Sequence, residues 1–207
     1  MQKNIQSAVS FLFEMGTLRK LARSHRQTLL TDDLSDNIAS HSFRVALIGW
    51  MLAKEERVSV EKVVEMCLFH DIEETRTGDQ NWIHKRYVEI DKAHVLREQT
   101  QHLSQKEAIL NIKSEYLARE SQEAKIAKDA DLLDQILLLR EYEMQGNTEA
   151  TRWLLAKKAR YAETNNHTKK NLKDFYENLS CEAARQYAKE IFTQTPSDWW
   201  RDTVVSP

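Results

Sequence analysis

Glycine and proline are scarce, with 4 and 2 among 207 residues. A β-rich fold needs many tight turns, so this scarcity argues against one and leaves an α-rich fold as the simple reading. The 2 cysteines, Cys67 and Cys181, show neither Cys-x-x-Cys spacing nor a dense pattern, so no disulfide framework is expected. Cys67 lies in the apolar run Met66-Cys67-Leu68-Phe69 and reads as a small core residue. No stretch approaches the ~20 apolar residues of a membrane span. The start, Met1-Gln2-Lys3-Asn4-Ile5, lacks an apolar signal core, which makes a cytoplasmic location the expectation. A formal charge of −2 offers no broad basic surface, so nucleic acid is not an expected partner. A small anion could still be held by a local metal and a few Arg or Lys side chains. What remains is ordinary: 41% hydrophobic and 30% charged residues, as in a globular protein able to bury its own core.

Apolar residues recur at three- and four-residue intervals, the signature of amphipathic helices. The first helix is expected over 4–15, with Val9, Leu12 and Phe13 inward and Gly16 as a break. A short piece over 18–22 leads into a polar stretch rich in N-cap candidates, Thr31 to Asn37. The next helix carries Ile38, His41, Val45, Leu47, Ile48, Met51 and Leu52. Ser59 can cap another, with Val63, Val64, Cys67, Leu68 and His70 on its inner side, ending before Thr77-Gly78-Asp79. Residues 79–92 read as a loop or short helix over a site. A helix near 91–103 follows, then a capping box at Ser104-x-x-Glu107. A long helix runs from Ser121 to about Gln145. Gly146-Asn147 reads as a C-cap pair before a helix starting at Thr148. The last long helix is expected from Thr168, and the tail 195–207 as an extended arm. With no repeat, low-complexity tract or linker, 1–207 reads as one all-α domain with a core over 10–145 and C-terminal helices beyond.

Chemistry concentrates at Phe69-His70-Asp71-Ile72-Glu73-Glu74. Neighbouring His and Asp side chains diverge by roughly 100° on a helix, so both reach one point only at a helix end or bend. There a divalent cation can take an imidazole nitrogen and a carboxylate oxygen together. His41 stands on the preceding apolar helix, and Asp131 on the apolar side of a third one. A carboxylate facing a helical core is costly unless paired or metal-bound. Taken singly, His41 could equally be a satisfied core histidine, and Asp131 a cap or ion-pair residue. Glu74 lies one turn after His70 and can face the same space.

Together, His41, His70-Asp71 and Asp131 in this order on successive helices resemble the HD superfamily of metal-dependent phosphohydrolases. More narrowly, His70-Asp71-x-x-Glu74-x-x-x-Gly78-Asp79 is similar to its 5′-deoxynucleotidase group. So is Lys128-x-Ala130-Asp131-x-Leu133 followed by Glu141-Tyr142-Glu143. The resemblance covers about 10–145. It implies an HD-domain helical bundle with one divalent ion in its core, held by His41, His70, Asp71 and Asp131. The ion would be Co, Mn, Zn, Ni or Fe. It further implies that Glu74 handles the proton of the attacking water, that Asp79 faces the sugar, and that the substrate is a nucleoside monophosphate. The segment Leu18-Arg19-Lys20-Leu21-Ala22-Arg23 resembles the group's Leu-Lys-Arg-x-Pro-Arg stretch and places Arg23 on the substrate. Here Ala22 replaces the proline, and Ser24-His25-Arg26 replaces an aromatic implicated in sugar selection, which leaves ribose against deoxyribose open. A homodimer is the family-like expectation, with the C-terminal helices as interface.

His84, Lys85 and Arg86 are further phosphate candidates, although such charge runs commonly face solvent. His25, His94, His102 and His167 read as surface residues, and Trp50, Trp82 and Trp153 as packing residues. Two alternatives stay open: another HD hydrolase acting on a different small phosphoester, and a metal-binding regulatory protein without turnover.

Overall fold

The structure is a computed structural model describing residues 2–155 and 177–205. His167 and Thr168, named above, lie outside the described residues. Helices α1 (Gln2–Met15), α2 (Arg26–Leu29), α3 (Ile38–Glu55), α4 (Val60–Phe69), α5 (Glu74–Thr77) and α6 (Lys92–Thr100) are followed by α7 (Lys106–Ala118), α8 (Gln122–Met144) and α9 (Thr148–Leu154). Beyond residue 177 come α10 (Glu182–Thr193) and α11 (Asp198–Val205), with 3₁₀ turns at Gly16–Lys20 and His84–Arg86. Among the described residues there is no strand, only an isolated antiparallel bridge between Ala22 and Asn37. The all-α expectation holds.

The centre of the bundle is α3, α4 and α8. Val45, Leu52, Val63, Met66, Cys67, Ala127, Ala130 and Leu133 form its core, and Leu179, Ala183, Ala184 and Ala188 from the C-terminal part close it. Truncating any of the large members to alanine costs about 2–5 kcal/mol in such a setting. Gly49 marks where α3 and α4 press closest, since a Cβ there would stand 2.6 Å from the Cys67 sulfur.

Caps explain the helix starts. Asn37 and Ser40 form a reciprocal capping box at the head of α3, and Ser59 and Ser121 cap α4 and α8 through Lys62 N and Ala124 N. Gly146 and Asn147 close α8 as expected, Gly146 N donating to the Glu143 carbonyl and Asn147 N to the Tyr142 carbonyl, both at 2.9 Å, with Gly146 left-handed at φ +90°; the Asn147 side chain also caps α9 by accepting from Ala150 N. The box at Ser104 is not formed: α7 begins at Lys106, and the Ser104 hydroxyl bonds Gln105.

Several faces differ from expectation. Val9, Leu12 and Phe13 are exposed, and α1 turns Phe11 and Met15 inward against Ile72, Leu96 and Ile109. The helix lies at the edge of the bundle, so only one narrow stripe of its apolar surface is covered. Leu47, Trp50, Met51 and Leu68 are likewise exposed, on the outer sides of α3 and α4. The last described long helix starts at Glu182 after a non-helical stretch, and the tail is helical in α11 rather than extended. Asp198 explains the latter, accepting from both the backbone and hydroxyl of Thr195.

Candidate metal centre

Helix α4 ends at Phe69, and residues 70–73 form a turn before α5. That break lets adjacent side chains converge, with His70 Nε2 lying 2.9 Å from Asp71 Oδ2. His41, from the first turn of α3, brings its Nε2 to 3.1 Å from His70 Nε2 and 3.7 Å from Asp71 Oδ2. The three ligand-type atoms all lie within 4.8 Å of one another, as a metal site requires. Asp131 of α8 approaches from the fourth side, its Oδ1 3.4 Å from His41 Nε2 while Oδ2 pairs with Lys128 at 2.6 Å.

The outer nitrogens determine the chemistry of the inner ones. His70 Nδ1 is 2.7 Å from the Cys67 carbonyl, which can only accept, so Nδ1 carries the proton and Nε2 a lone pair. His41 Nδ1 is 2.6 Å from Asp134 Oδ2, giving the same tautomer. Two imidazole Nε2 atoms and the Asp71 carboxylate then face one point, with Asp131 beside His41 at its edge, an arrangement suited to a cation. Burial and Arg23 push the His41 imidazolium down, but Asp131 and Asp134 outweigh them and raise it to about 9, so without a cation Nε2 holds a proton that a metal ion would displace. Asp71 and Asp131 would be raised by burial, yet His70 and His41 at the first, and Lys128 and His41 at the second, hold both well below the usual range. This donor set fits a borderline or hard divalent ion.

Arg23 reaches the site because the chain 21–23 is tied to the head of α3. Arg23 N donates to the Asp36 carbonyl at 2.9 Å, and Ile38 N to the Leu21 carbonyl at 3.0 Å. Its buried guanidinium stands 4.0 Å from Asp71 and 3.6 Å from Asp79. Nε and Nη1 have no hydrogen-bond partner among the described residues, and Nη2 meets His25 Nε2 at 3.1 Å. Asp79 follows Gly78, which turns the chain at φ +69°, and its Oδ2 accepts from Ser24 N at 2.7 Å. Glu74 opens α5 and is buried, with Oε2 unpartnered. Burial and the neighbouring Asp71 and Asp79 carboxylates raise it to about 9, and a cation beside those carboxylates would offset their charge and leave Glu74 ionised to accept a proton.

His84 and Lys85 stand apart from this group. No hydrogen bond or ion pair among the described residues ties either side chain to Arg23, Asp71 or Asp79. Lys85 and Arg86 are exposed on the 3₁₀ turn. His25, expected at the surface, is instead packed edge-on against Trp153 with ring centroids 5.8 Å apart. Trp153 in turn stacks on Trp82 at 4.7 Å, so those two do serve packing.

Other participants were not foreseen. Asp134 is three residues after Asp131 on the same face of α8, a spacing that could have revealed it. It holds His41, is itself held by Arg44, and Arg44 also reaches Glu141 at 2.6 Å. Buried Glu73 pairs with Lys113 of α7 at 2.8 Å, across 40 positions, for which no local signal exists. On the far side of His41 is a recess of about 450 Å³, lined by Asp33, Asp36, Asp134, Glu141 and Arg44 among others.

A family model for the HD domain matches residues 18–178. The chain belongs to the HD domain family. Among proteins of known activity it is similar to the human 5′-deoxynucleotidase HDDC2, 27% identical over 146 residues, spanning 67% of this chain and 69% of that protein. It is also similar to the 5′-deoxynucleotidase HDDC2 of Dictyostelium discoideum, 29% identical over 126 residues, 55% of this chain and 66% of that one. Solved structures share the fold. A conserved hypothetical protein from Pyrococcus furiosus gives a TM-score of 0.66 at 24% identity, over 90% of this chain and 99% of that one. A predicted metal-dependent phosphohydrolase from Magnetospirillum magnetotacticum gives 0.64 at 23% identity, over 99% and 97%. At these identities the two structures carry the fold.

Proposed function

We propose that this HD domain is a phosphohydrolase that removes phosphate from nucleoside 5′-monophosphates, with one divalent ion held by His41, His70, Asp71 and Asp131. The observation that carries the reading is the convergence of His41 Nε2, His70 Nε2 and Asp71 Oδ2 within 4.8 Å, beside a buried arginine with unpartnered donors. The similarity to the 5′-deoxynucleotidases HDDC2 supports the substrate class.

A divalent ion at this point supplies positive charge for the phosphoryl oxygens and acidifies a water. The unpartnered Nε and Nη1 of Arg23 are N–H donors free to take phosphate oxygens, while Nη2 stays on His25. The phosphate belongs on this side, since the recess beyond His41 has four carboxylates against one arginine in its wall. Glu74 takes the proton of the attacking water as oxygen joins phosphorus, and returns it to the 5′-oxygen as the P–O bond breaks. Nucleoside and inorganic phosphate result. Asp79, braced by Ser24 N and Arg23, presents a carboxylate to the sugar. His84 and Lys85 would join only if the 79–91 segment closed over bound nucleotide. A homodimer would have two exposed apolar faces to use, α3 at Phe43, Leu47, Trp50 and Met51, and the C-terminal helices at Phe192, Trp199 and Trp200. No helix among the described residues is long and apolar enough to cross a membrane.

The test is phosphate release from paired deoxy- and ribonucleoside 5′-monophosphates with Mn²⁺ or Co²⁺ and an EDTA control. Metal-dependent release from either series supports the reading. Silence from both moves the search to other phosphoesters, the second reading, which Ser24 and His25 after Arg23 favour. Metal uptake with no hydrolysis of any phosphoester would leave a regulatory metal protein.

A further inference from the structure

Glu73 is completely buried and is met by two lysines from different helices. Lys113 of α7 donates to both of its carboxylate oxygens at 2.8 Å and also to the carbonyl of His70. Lys92 of α6 lies 3.2 Å from Glu73 Oε1 and reaches on to Glu74 Oε1 at 3.7 Å. Lys92 is the first residue of α6, a start fixed by Asp91, whose side chain accepts from His94 N at 2.8 Å. One ammonium suffices to neutralise Glu73, and Lys113 already provides it with full hydrogen bonding. The charge brought by Lys92 is therefore available to the next carboxylate. Glu74 is a long side chain with several rotamers open to it, and a fixed cation at Oε1 leaves Oε2, buried and unpartnered, as its free proton acceptor.

We propose that Lys92 is a positioning residue for Glu74, anchored by the buried Glu73–Lys113 pair, and that it holds the carboxylate with Oε2 presented to the water. This rests on the reading of Glu74 as the proton carrier. It adds a second support to the turn 70–74, since the same Lys113 that anchors Glu73 also fixes the carbonyl of His70. The site is thereby braced from α6 and α7, neither of which contributes a residue to the metal group.

The test compares Lys92→Met, Lys92→Arg, Glu74→Gln and the double variant Lys92→Met/Glu74→Gln in the full chain loaded with Mn²⁺. Crystal structures read the placement of Glu74 without any need for turnover. In Lys92→Met its carboxylate should move by about 1 Å or more, enough to matter for catalysis, and in Lys92→Arg it should stay. An unmoved Glu74 in Lys92→Met overturns the proposal. In turnover, Lys92→Met should lower kcat about 10–100-fold, the range for outer supports of such sites. KM and bound metal should be unchanged, Lys92→Arg should recover most of the rate, and Lys92→Met should cost nothing further on the Glu74→Gln background. An equal further loss there, or a raised KM in both backgrounds, would make Lys92 a substrate contact instead. Should Lys92→Met fail to fold, Lys92→Gln carries the same comparison. If wild type hydrolyses no phosphoester, the hydrolase reading falls while the crystal structures still decide the placement.

Discussion

Asp134 Oδ2 lies 2.6 Å from His41 Nδ1, on the side of the ring opposite His70 and Asp71. This carboxylate keeps the proton on Nδ1 and turns the Nε2 lone pair inward, and Arg44 holds the carboxylate in turn. Replacing Asp134 by Ala frees the ring to rotate and to exchange tautomers. Metal affinity should fall about 10–100-fold while all four inner donors remain. Competition with a chromogenic chelator measures this, and unchanged affinity would show that α3 alone orients His41.

Glu74 and Asp131 should separate chemistry from binding. Glu74→Gln keeps shape and hydrogen bonding but cannot take a proton, so metal content should stay at wild-type level while kcat falls about 100-fold or more. Asp131→Ala removes a carboxylate next to His41 and should lose metal and turnover together. Full metal occupancy in Asp131→Ala would show that His41, His70 and Asp71 suffice, and full activity in Glu74→Gln would assign the proton to another group.

The parts of the site that were legible in the sequence are those set by residue type at short spacing. His70 and Asp71 can meet only at a helix end, and α4 does end there. Glu74, one turn on, does face inward. Ser59 and Ser121 cap as their positions suggest, because capping is a local hydrogen bond. What could not be read depends on partners distant in the chain. Amphipathicity marks an apolar face on α1 but not which stripe of it is covered, so Phe11 and Met15 turn inward where Val9 and Leu12 were expected. His25 carries no local mark of burial, since Trp153 comes from α9. The Glu73–Lys113 pair looks in sequence like two ordinary surface charges.

His25 gives the protein an acid-sensitive contact beside Arg23, at the edge of the candidate site. Burial and the adjacent Arg23 lower it to about 4 against an ordinary 6.5, with Asp79 opposing. The folded state therefore refuses a proton that the unfolded chain accepts below pH 6.5. The contribution to stability is complete above that pH and is lost as pH falls from 6.5 towards 4, reaching about 2 kcal/mol at pH 5. Asp36 is raised by burial to about 6 and acts oppositely over the same window, so the wild type alone does not isolate the effect. Urea denaturation of wild type and His25→Gln at pH 7 and pH 5 does. The stability gap should shift towards the variant at pH 5 by about that amount, and a gap independent of pH would place the His25 titration outside this window.

Asp129 ties the C-terminal part to the bundle. It is completely buried in α8. One oxygen accepts from Ser180 N at 2.9 Å, the other from Ser180 N at 2.9 Å and Cys181 N at 2.8 Å. These bonds hold the chain just before α10, whose alanines complete the core. Two positions along a helix differ by about 200°, so Asp129 points away from the metal group that Asp131 faces. Asp129→Ala strands two backbone donors and should cost about 2–4 kcal/mol in urea denaturation. At temperatures where the variant remains folded, metal affinity should be that of the wild type. A loss of metal affinity in the folded variant would show instead that the clasp sets the rotation of α8 and so the approach of Asp131 to His41.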